Sequence, residues 1–453
     1  MDIIIVGCGK IGKSIIASLT AEGHDITVIE QDPDVLSEVT NIYDVIGICG
    51  SGVDYETLAE AGIDKAEMFV SVTGSDEMNM LSCFFAKKMG AAHTIARIRN
   101  PEYNDRSLGF MRQQLALSMS VNPERLAARE LFNILRLPNA AKVESFSRGN
   151  FEMVEIRISE GSELDGLSLS RMREKYKASV LVCAVERDSQ LYIPDGNFVL
   201  RQGDKIGLIA SHTEVQKLLK LLGALRRQAK NIMILGGSKT AYYLAKMCCS
   251  TGMNVKIIEK NQKRCEELSV LLPKAMIICG DGAQQELLLE EGITSQDAFV
   301  SLTGMDEENI IISLFASRQR VPKVISKINR SEMLTMARQM GLESIITPRE
   351  ITSNILVRFA RALENSMGSN VETLYRLMDG KAEALEFNAG SDLTFLNKPL
   401  KELNFRKNIL IGGILRGRKT IIPSGDDMIL PGDRVIVLAA DQRLQDLSDI
   451  INK

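Results

Sequence analysis

Short apolar runs alternate with stretches of helical spacing from the first residues onward. Ile3 to Val6 is an unbroken β-branched run of strand length. Lys10 to Glu22 then sets Ile11, Ile15 and Leu19 on one helical face. Residues 26–30 (ITVIE) form the next predicted strand. Residues 32–39 (DPDVLSEV) predict a helix, with Asp32 placed to cap it and Pro33 in its first turn. Further strands are predicted at 45–49, 69–73 and 94–98, with helices at 54–61 and 75–89 between them. Strands separated by helices in this way predict βαβ units and a doubly wound parallel sheet, an α/β fold.

The texture changes near residue 151. FEMVEIRIS (151–159) alternates apolar and polar positions, as a half-buried strand does. Strands at 178–187, 191–193 and 205–210 and a short helix around 168–174 predict a small α+β domain. The stretch 213–230 reads as a helix followed by a joint, and a second joint is expected around 365–382.

The whole pattern then repeats. With Ile3 set on Ile232, an offset of 229, Gly7 meets Gly236, Gly12 meets Ala241 and Glu30 meets Glu259. One residue is then inserted, and MFVSVTGSDEMN (68–79) falls on AFVSLTGMDEEN (298–309) with eight of twelve positions identical. The small domains pair too: YIPDGNFVLRQGDKIGLIA (192–210) resembles IIPSGDDMILPGDRVIVLA (421–439). The period is far too long for a solenoid unit, so the chain is a tandem duplication of a two-domain protein. The expected division is 1–125 and 230–350 for the sheet domains, and 140–224 and 370–453 for the small ones.

The turn after the first strand carries candidate chemistry. Gly7-Cys8-Gly9-Lys10-Ile11-Gly12 is a G-x-G-x-x-G motif between a strand and a helix, and Glu30 ends the following strand. That context marks a Rossmann-like dinucleotide site. Gly7 permits the tight turn, Gly9 lets backbone N–H groups approach a pyrophosphate, and Gly12 permits close helix–strand packing. The helix start directs positive dipole at the phosphates. Glu30 is placed to accept ribose hydroxyls, and its charge opposes a 2′-phosphate, which favours NAD or an adenosine nucleotide. At the carboxyl ends of later strands, Ser51 is placed for an adenine pocket, Thr73 and Gly74 for phosphates or ribose, and Arg97 for phosphate pairing. In the second copy, Gly236-Gly237-Ser238-Lys239-Thr240-Ala241 loses the middle glycine to Ser238, while Glu259 and Thr303 persist and Lys327 replaces Arg97. This site is expected to bind a nucleotide more weakly, differently or not at all.

Composition narrows the function. A net charge of -3 gives no basic surplus for generic nucleic-acid binding. No apolar run approaches the roughly 18 residues of a membrane span. Asp2 stands where a secretory leader would be basic, so a soluble, intracellular chain with free thiols at its eight cysteines is expected. Three scattered histidines do not suggest a metal cage. The small domains offer no histidine-centred acid–base group, so a sensing or assembly role is favoured over catalysis.

In module order and in these motifs, the chain closely resembles the tandem RCK (regulator of K⁺ conductance) family. These are the TrkA-type cytosolic regulatory subunits of bacterial Trk potassium uptake systems. The resemblance covers essentially the whole chain and makes the sheet domains RCK N domains and the small ones RCK C domains. It implies no enzymatic activity and a ring-forming oligomer, expected to be a homotetramer. The ring would sit peripherally on the inner face of the cell membrane beneath a channel subunit of the TrkH or TrkG type. NAD(H), with ATP or ADP as alternatives, would bind the N domains and gate K⁺ flow. Carried across, the first site comprises Gly7 to Ile11, Glu30, Ser51, Thr73, Gly74 and Arg97. The second comprises Gly236 to Thr240, Glu259, Asp281, Thr303, Gly304 and Lys327. A regulator of another cation transporter and an NAD-dependent oxidoreductase stand as the alternatives.

Overall fold

In the computed structural model, the described residues are 1–103, 105–137, 140–146, 150–158, 161–188, 190–222, 229–366, 371–378, 381–391, 393–440, 442, 444 and 446–452. The first parallel sheet is built from β1 (Asp2–Val6), β2 (Asp25–Glu30), β3 (Ile46–Cys49), β4 (Met68–Ser71), β5 (His93–Arg97) and β6 (Met119–Val121). Its order is β3-β2-β1-β4-β5-β6. Order reverses between β1 and β4, and doubly wound sheets bind ligands at that reversal, outside the strands' carboxyl ends. The apolar runs are central strands buried on both faces: Ile5, Val28, Phe69 and Val70 have no exposure. Asp32 caps the helix Pro33–Ile42 by accepting from the N–H groups of Asp34 and Val35. Ser75 caps Asp76–Met89 by accepting from Met78 N–H.

The first small sheet is antiparallel and comprises β7 (Ala140–Phe146), β8 (Phe151–Arg157), β9 (Leu181–Arg187), β10 (Gln190–Tyr192) and β11 (Lys205–Ala210), in the order β10-β9-β11-β8-β7. The second half repeats both sheets. Strands β12 (Asn231–Leu235), β13 (Asn254–Glu259), β14 (Met276–Cys279), β15 (Ala298–Ser301), β16 (Lys323–Lys327) and β17 (Ser344–Ile346) run in the order β14-β13-β12-β15-β16-β17. Strands β18 (Val371–Leu377), β19 (Ala382–Asn388), β20 (Ile409–Arg416), β21 (Lys419–Ile421) and β22 (Arg434–Ala440) run β18-β19-β22-β20-β21. The fold is therefore α/β, two Rossmann-like parallel sheets each followed by a small α+β unit.

Several elements differ from the pattern-based expectation. The second joint at 365–382 contains β18, which pairs antiparallel with β19. Its counterpart β7 and the sixth strands β6 and β17 were also not anticipated, nor were the helices Pro123–Arg136 and Pro348–Ser366. The helix expected from 213 spans His212–Leu221, and residues 223–228 of the first joint lie outside the described residues.

The chain divides into two compact units. One is Met1–Arg129 with Thr347–Ala360, and the other is Glu130–Ile346 with Arg361–Lys453. In the first unit, Thr347–Ala360 docks on the first Rossmann-like fold. There the Ser353 and Ser14 hydroxyls lie 2.8 Å apart, and Phe359 meets His93 edge-on at 6.0 Å between ring centres. In the second unit, the two small sheets share one apolar cluster, with Phe151, Met153, Cys183 and Ile209 from one and Ala384, Leu415, Ile436 and Leu438 from the other. Backbone N–H of Met378 donates to Glu155 Oε1 at 3.1 Å, and Lys381 pairs with Glu186 across the same contact.

The repeated R…GD pattern of the small domains has a structural reason. Arg187 donates from Nε and Nη2 to the two carboxylate oxygens of Asp204, each at 2.7 Å. Arg416 does the same to Asp433 at 2.9 and 2.8 Å. Burial pushes the Asp204 carboxyl up, but the hydrogen bonds from Arg187 and from Arg201 N–H hold it below the usual aspartate range.

Candidate functional site

The first glycine turn sits where β1 meets the helix Lys10–Ala21. Gly7 has φ +96°, and a Cβ there would stand 3.0 Å from Thr73 N, so both conformation and space exclude a side chain. Gly7 N–H continues the sheet by donating to Ile29 O at 2.9 Å. Gly9 is the helix N-cap and makes no side-chain cap. A Cβ on Gly9 would meet no atom within 4 Å, so this side of the turn is open. At Gly12 a Cβ would fall on the Gly7 carbonyl oxygen, with the carbonyl carbon 3.0 Å away. Lys10 is exposed and Ile11 half-buried. The Cys8 thiol is buried and pushed up to about 12, by burial first and then by Glu30, so it is chemically quiet.

Glu30 is where the motif requires it, but its oxygens already serve the backbone. Oε2 accepts from Cys8 N–H at 2.7 Å, and Oε1 accepts from Gln31 and Asp32 N–H at 2.8 and 3.2 Å. A carboxylate has about four lone-pair positions, so one remains for a ribose hydroxyl. Ser51 follows β3 and its hydroxyl accepts from Val53 N–H at 3.5 Å.

Thr73 N–H and hydroxyl both donate to Asn79 Oδ1, at 2.8 and 2.7 Å, and the hydroxyl also lies 3.3 Å from Ser75 O, so Thr73 shapes the loop at the strand end. Asn79 also donates from Nδ2 to Arg97 O at 2.9 Å, tying the ends of β4 and β5 together. Gly74 O accepts from Arg99 Nη2. Arg97 lies over the end of β4, with Nη1 3.4 Å from both Val72 O and Thr73 O and Nη2 3.9 Å from Glu124. Burial, then the neighbouring Arg99, lowers its guanidinium pKa from the usual value.

The second turn opens onto a cavity of about 720 Å³ that Gly236, Gly237, Ser238, Glu259, Asp281, Thr303 and Gly304 help to line. Lys239, Thr240 and Lys327 do not line it. Thr240 is buried, and Lys327 Nζ lies 3.4 Å from Leu302 O. Gly236 repeats the left-handed turn at φ +92°. Glu259 accepts from Gly237 N–H at 2.6 Å and from Asn261 N–H at 2.7 Å, and Asp281 from Ala283 N–H at 3.0 Å. Ser238 is more than a lost glycine. It caps the helix Lys239–Ser250, its hydroxyl accepting from Ala241 N–H at 3.3 Å, which satisfies one of the N–H groups a phosphate would otherwise use.

Two groups of residues escape motif reasoning. Asn309 repeats Asn79, accepting from Thr303 N–H and hydroxyl at 2.9 Å each and donating to Lys327 O at 2.9 Å. Asp76 and Asp306, three positions earlier, accept from the N–H groups of residues 99–100 and 329–330. The signal was present, since T-G-x-D-E-x-N is invariant between the copies. Lys260, Lys263 and Arg264 also line the second cavity. None of His24, His93 or His212 does.

With this geometry in hand, relatives are informative. The TrkA-N domain model matches residues 3–110 and 232–348, and the TrkA-C domain model matches 153–223 and 384–452. A Trk system potassium uptake protein TrkA homolog of Archaeoglobus fulgidus is 32% identical over 99% of this chain and 100% of its own length. The Trk system potassium uptake protein TrkA of Haemophilus influenzae is 29% identical over 98% of this chain and 96% of its own. Among solved structures, the GsuK channel bound to NAD superposes with a TM-score of 0.63 at 17% identity, covering 97% of this chain and 77% of that one, a likeness of fold. By the span of both domain models and by full-length identity to these relatives, the chain belongs to the TrkA family.

Proposed function

We propose that this chain is a nucleotide-sensing, non-enzymatic regulatory subunit of a Trk-type K⁺ uptake system. The observation that carries the reading is the pair of unequal glycine-turn sites, each at the order reversal of its own parallel sheet and each in a chain whose full-length relatives are named potassium uptake proteins. NAD(H) fits the first site best. An uncapped helix start faces the pyrophosphate approach, and Glu30 keeps an acceptor position for ribose. ATP or ADP uses the same adenosine contacts. A homotetrameric ring would present eight such folds beneath a membrane channel subunit of the TrkH or TrkG type, on the cytoplasmic face. No described helix is long and apolar enough to cross a membrane, and on this reading the partner supplies the conducting path. Gating follows if a nucleotide binds one ring shape more tightly than another; equal affinity would shift nothing.

The test is reconstitution. The purified chain is mixed with a TrkH-type channel in proteoliposomes, and K⁺ flux is followed while NADH, ATP and ADP are titrated. Nucleotide-dependent flux that requires this chain supports the reading. Flux indifferent to all three, or steady NADH consumption with a small metabolite, overturns it.

A further inference from the structure

The two sites differ most just past the acidic residue that each uses for ribose. Residues 30–35 read EQDPDV, three carboxylates and no cation, whereas residues 259–264 read EKNQKR, one carboxylate and three cations. In the first half Asp32 caps the following helix and Asp34 sits in its first turn. In the second, neutral Asn261 caps the helix Gln262–Leu271, whose first turn has no acidic residue. Lys260, Lys263 and Arg264 all line the second cavity. Arg264 is held across the glycine turn, its Nε donating to Gly237 O at 2.7 Å and its Nη1 to Glu267 at 2.8 Å. Meanwhile Ser238 has already used part of the helix start that would bind pyrophosphate. The second site has thus gained cations just past its strand-end acid, while one N–H of its helix start is already capped.

In Rossmann-like folds a strand-end acid reads the ribose hydroxyls of NAD, whereas a nearby cation accommodates the ribose phosphate of NADP. We propose that the second site takes an adenine nucleotide carrying a phosphate on its adenosine ribose, of the NADP(H) class, while the first excludes it. Glu259 accepts backbone N–H groups on both oxygens, and Lys260 and Lys263 line the same cavity to offset its charge, while Arg264 is paired with Glu267 and the Asp281 and Glu308 carboxylates complete the lining. The inference rests on the reading that both sheets bind nucleotides.

The experiment uses the full chain carrying Gly9→Val, which should silence the first site and whose Cβ meets no protein atom within 4 Å. Calorimetry with NADP⁺ and NAD⁺ is expected to show one NADP⁺ per chain, bound at least about tenfold more tightly than NAD⁺, since a charged hydrogen bond is worth that much. Affinity should fall steeply with salt. Adding Lys260→Gln and Lys263→Gln should weaken NADP⁺ by about tenfold or more while leaving NAD⁺ at the first site of the otherwise unaltered chain untouched. Equal affinity for the two dinucleotides, or indifference to the lysine changes, overturns the proposal while leaving nucleotide sensing intact. Failure of the unaltered chain to bind either dinucleotide, ATP or ADP overturns both.

Discussion

Replacing Gly12 by alanine tests whether the first turn is as tight as it looks. The new methyl would lie on the Gly7 carbonyl oxygen, with Gly7 C 3.0 Å away. Both obstacles are backbone, so no side chain can rotate aside. Overpacking of this kind costs about 1–3 kcal/mol, and the rigid obstacle argues for the upper half. Alanine recovers about 1 kcal/mol of helix propensity over glycine. The net is destabilisation of about 1–2 kcal/mol, a fall in apparent melting temperature of about 2–8 °C at 2–4 °C per kcal/mol. Scanning calorimetry is the assay. Gly9→Ala serves as control: its methyl meets nothing within 4 Å, so melting should not fall while nucleotide affinity does. The second copy already carries buried Ala241 at the equivalent place, beneath the Ser238 cap. Adding Gly9→Ser to Gly12→Ala should therefore restore part of the loss, a cap being worth about 1 kcal/mol. A melting temperature for Gly12→Ala equal to or above that of the unaltered chain would refute the packing argument.

Asn79→Ala removes acceptor and donor from the ends of β4 and β5 and leaves Thr73 N–H without its partner; about 2–3 kcal/mol of stability should be lost, read by urea denaturation, with weaker nucleotide binding alongside. Asp204→Asn strips the charge from a buried pair with Arg187, itself partly exposed, and should cost about 2–3 kcal/mol at neutral pH. The Asp204 carboxyl is held below its ordinary range, so the pair's contribution is full above the unfolded aspartate value and lost as pH falls through the folded one; the variant should lack that acid-dependent part of the denaturation curve. Burial pulls the half-buried Lys323 down from its ordinary 10.5 to about 8, with Glu343 pulling partly back. Between those values the unfolded chain holds a proton that the folded chain does not, so stability should rise with pH from about 8 upward. Lys323→Met should flatten that rise and stabilise the protein at pH 7 by on the order of 1–2 kcal/mol in chemical denaturation.

Local rules made much of this legible. The glycine turn, the strand-end glutamate and the capping Asp32 are set by neighbours within a few residues, and period and turn chemistry report them directly. Asn79 and Asn309 were opaque because a polar residue within a helical stretch reads as surface, whereas here it is fully buried between strand ends. Topology places Thr73 at the mouth; only the position of Asn79 shows that it also shapes the loop there. The strands β7 and β18 are each defined by a partner strand rather than by a pattern of their own. The cations after Glu259 become meaningful only when the two copies are compared at the level of charge. Docking of Thr347–Ala360 on the fold of Met1–Arg129 has no local signature.

The apolar cluster shared by the two small sheets has a consequence for how the halves diverged. Phe151 and Ile209 on one side and Ile436 and Leu438 on the other are held together on a single polypeptide, so their meeting is a first-order event independent of protein concentration. Two identical copies joined only by association would suffer every change twice, once in each site. Tethering removes that symmetry. A serine at 238 or a lysine at 260 alters one site and leaves its sister as it was. A covalently fused pair can therefore evolve into a two-input device, something an assembly of identical single-copy subunits has no means of becoming.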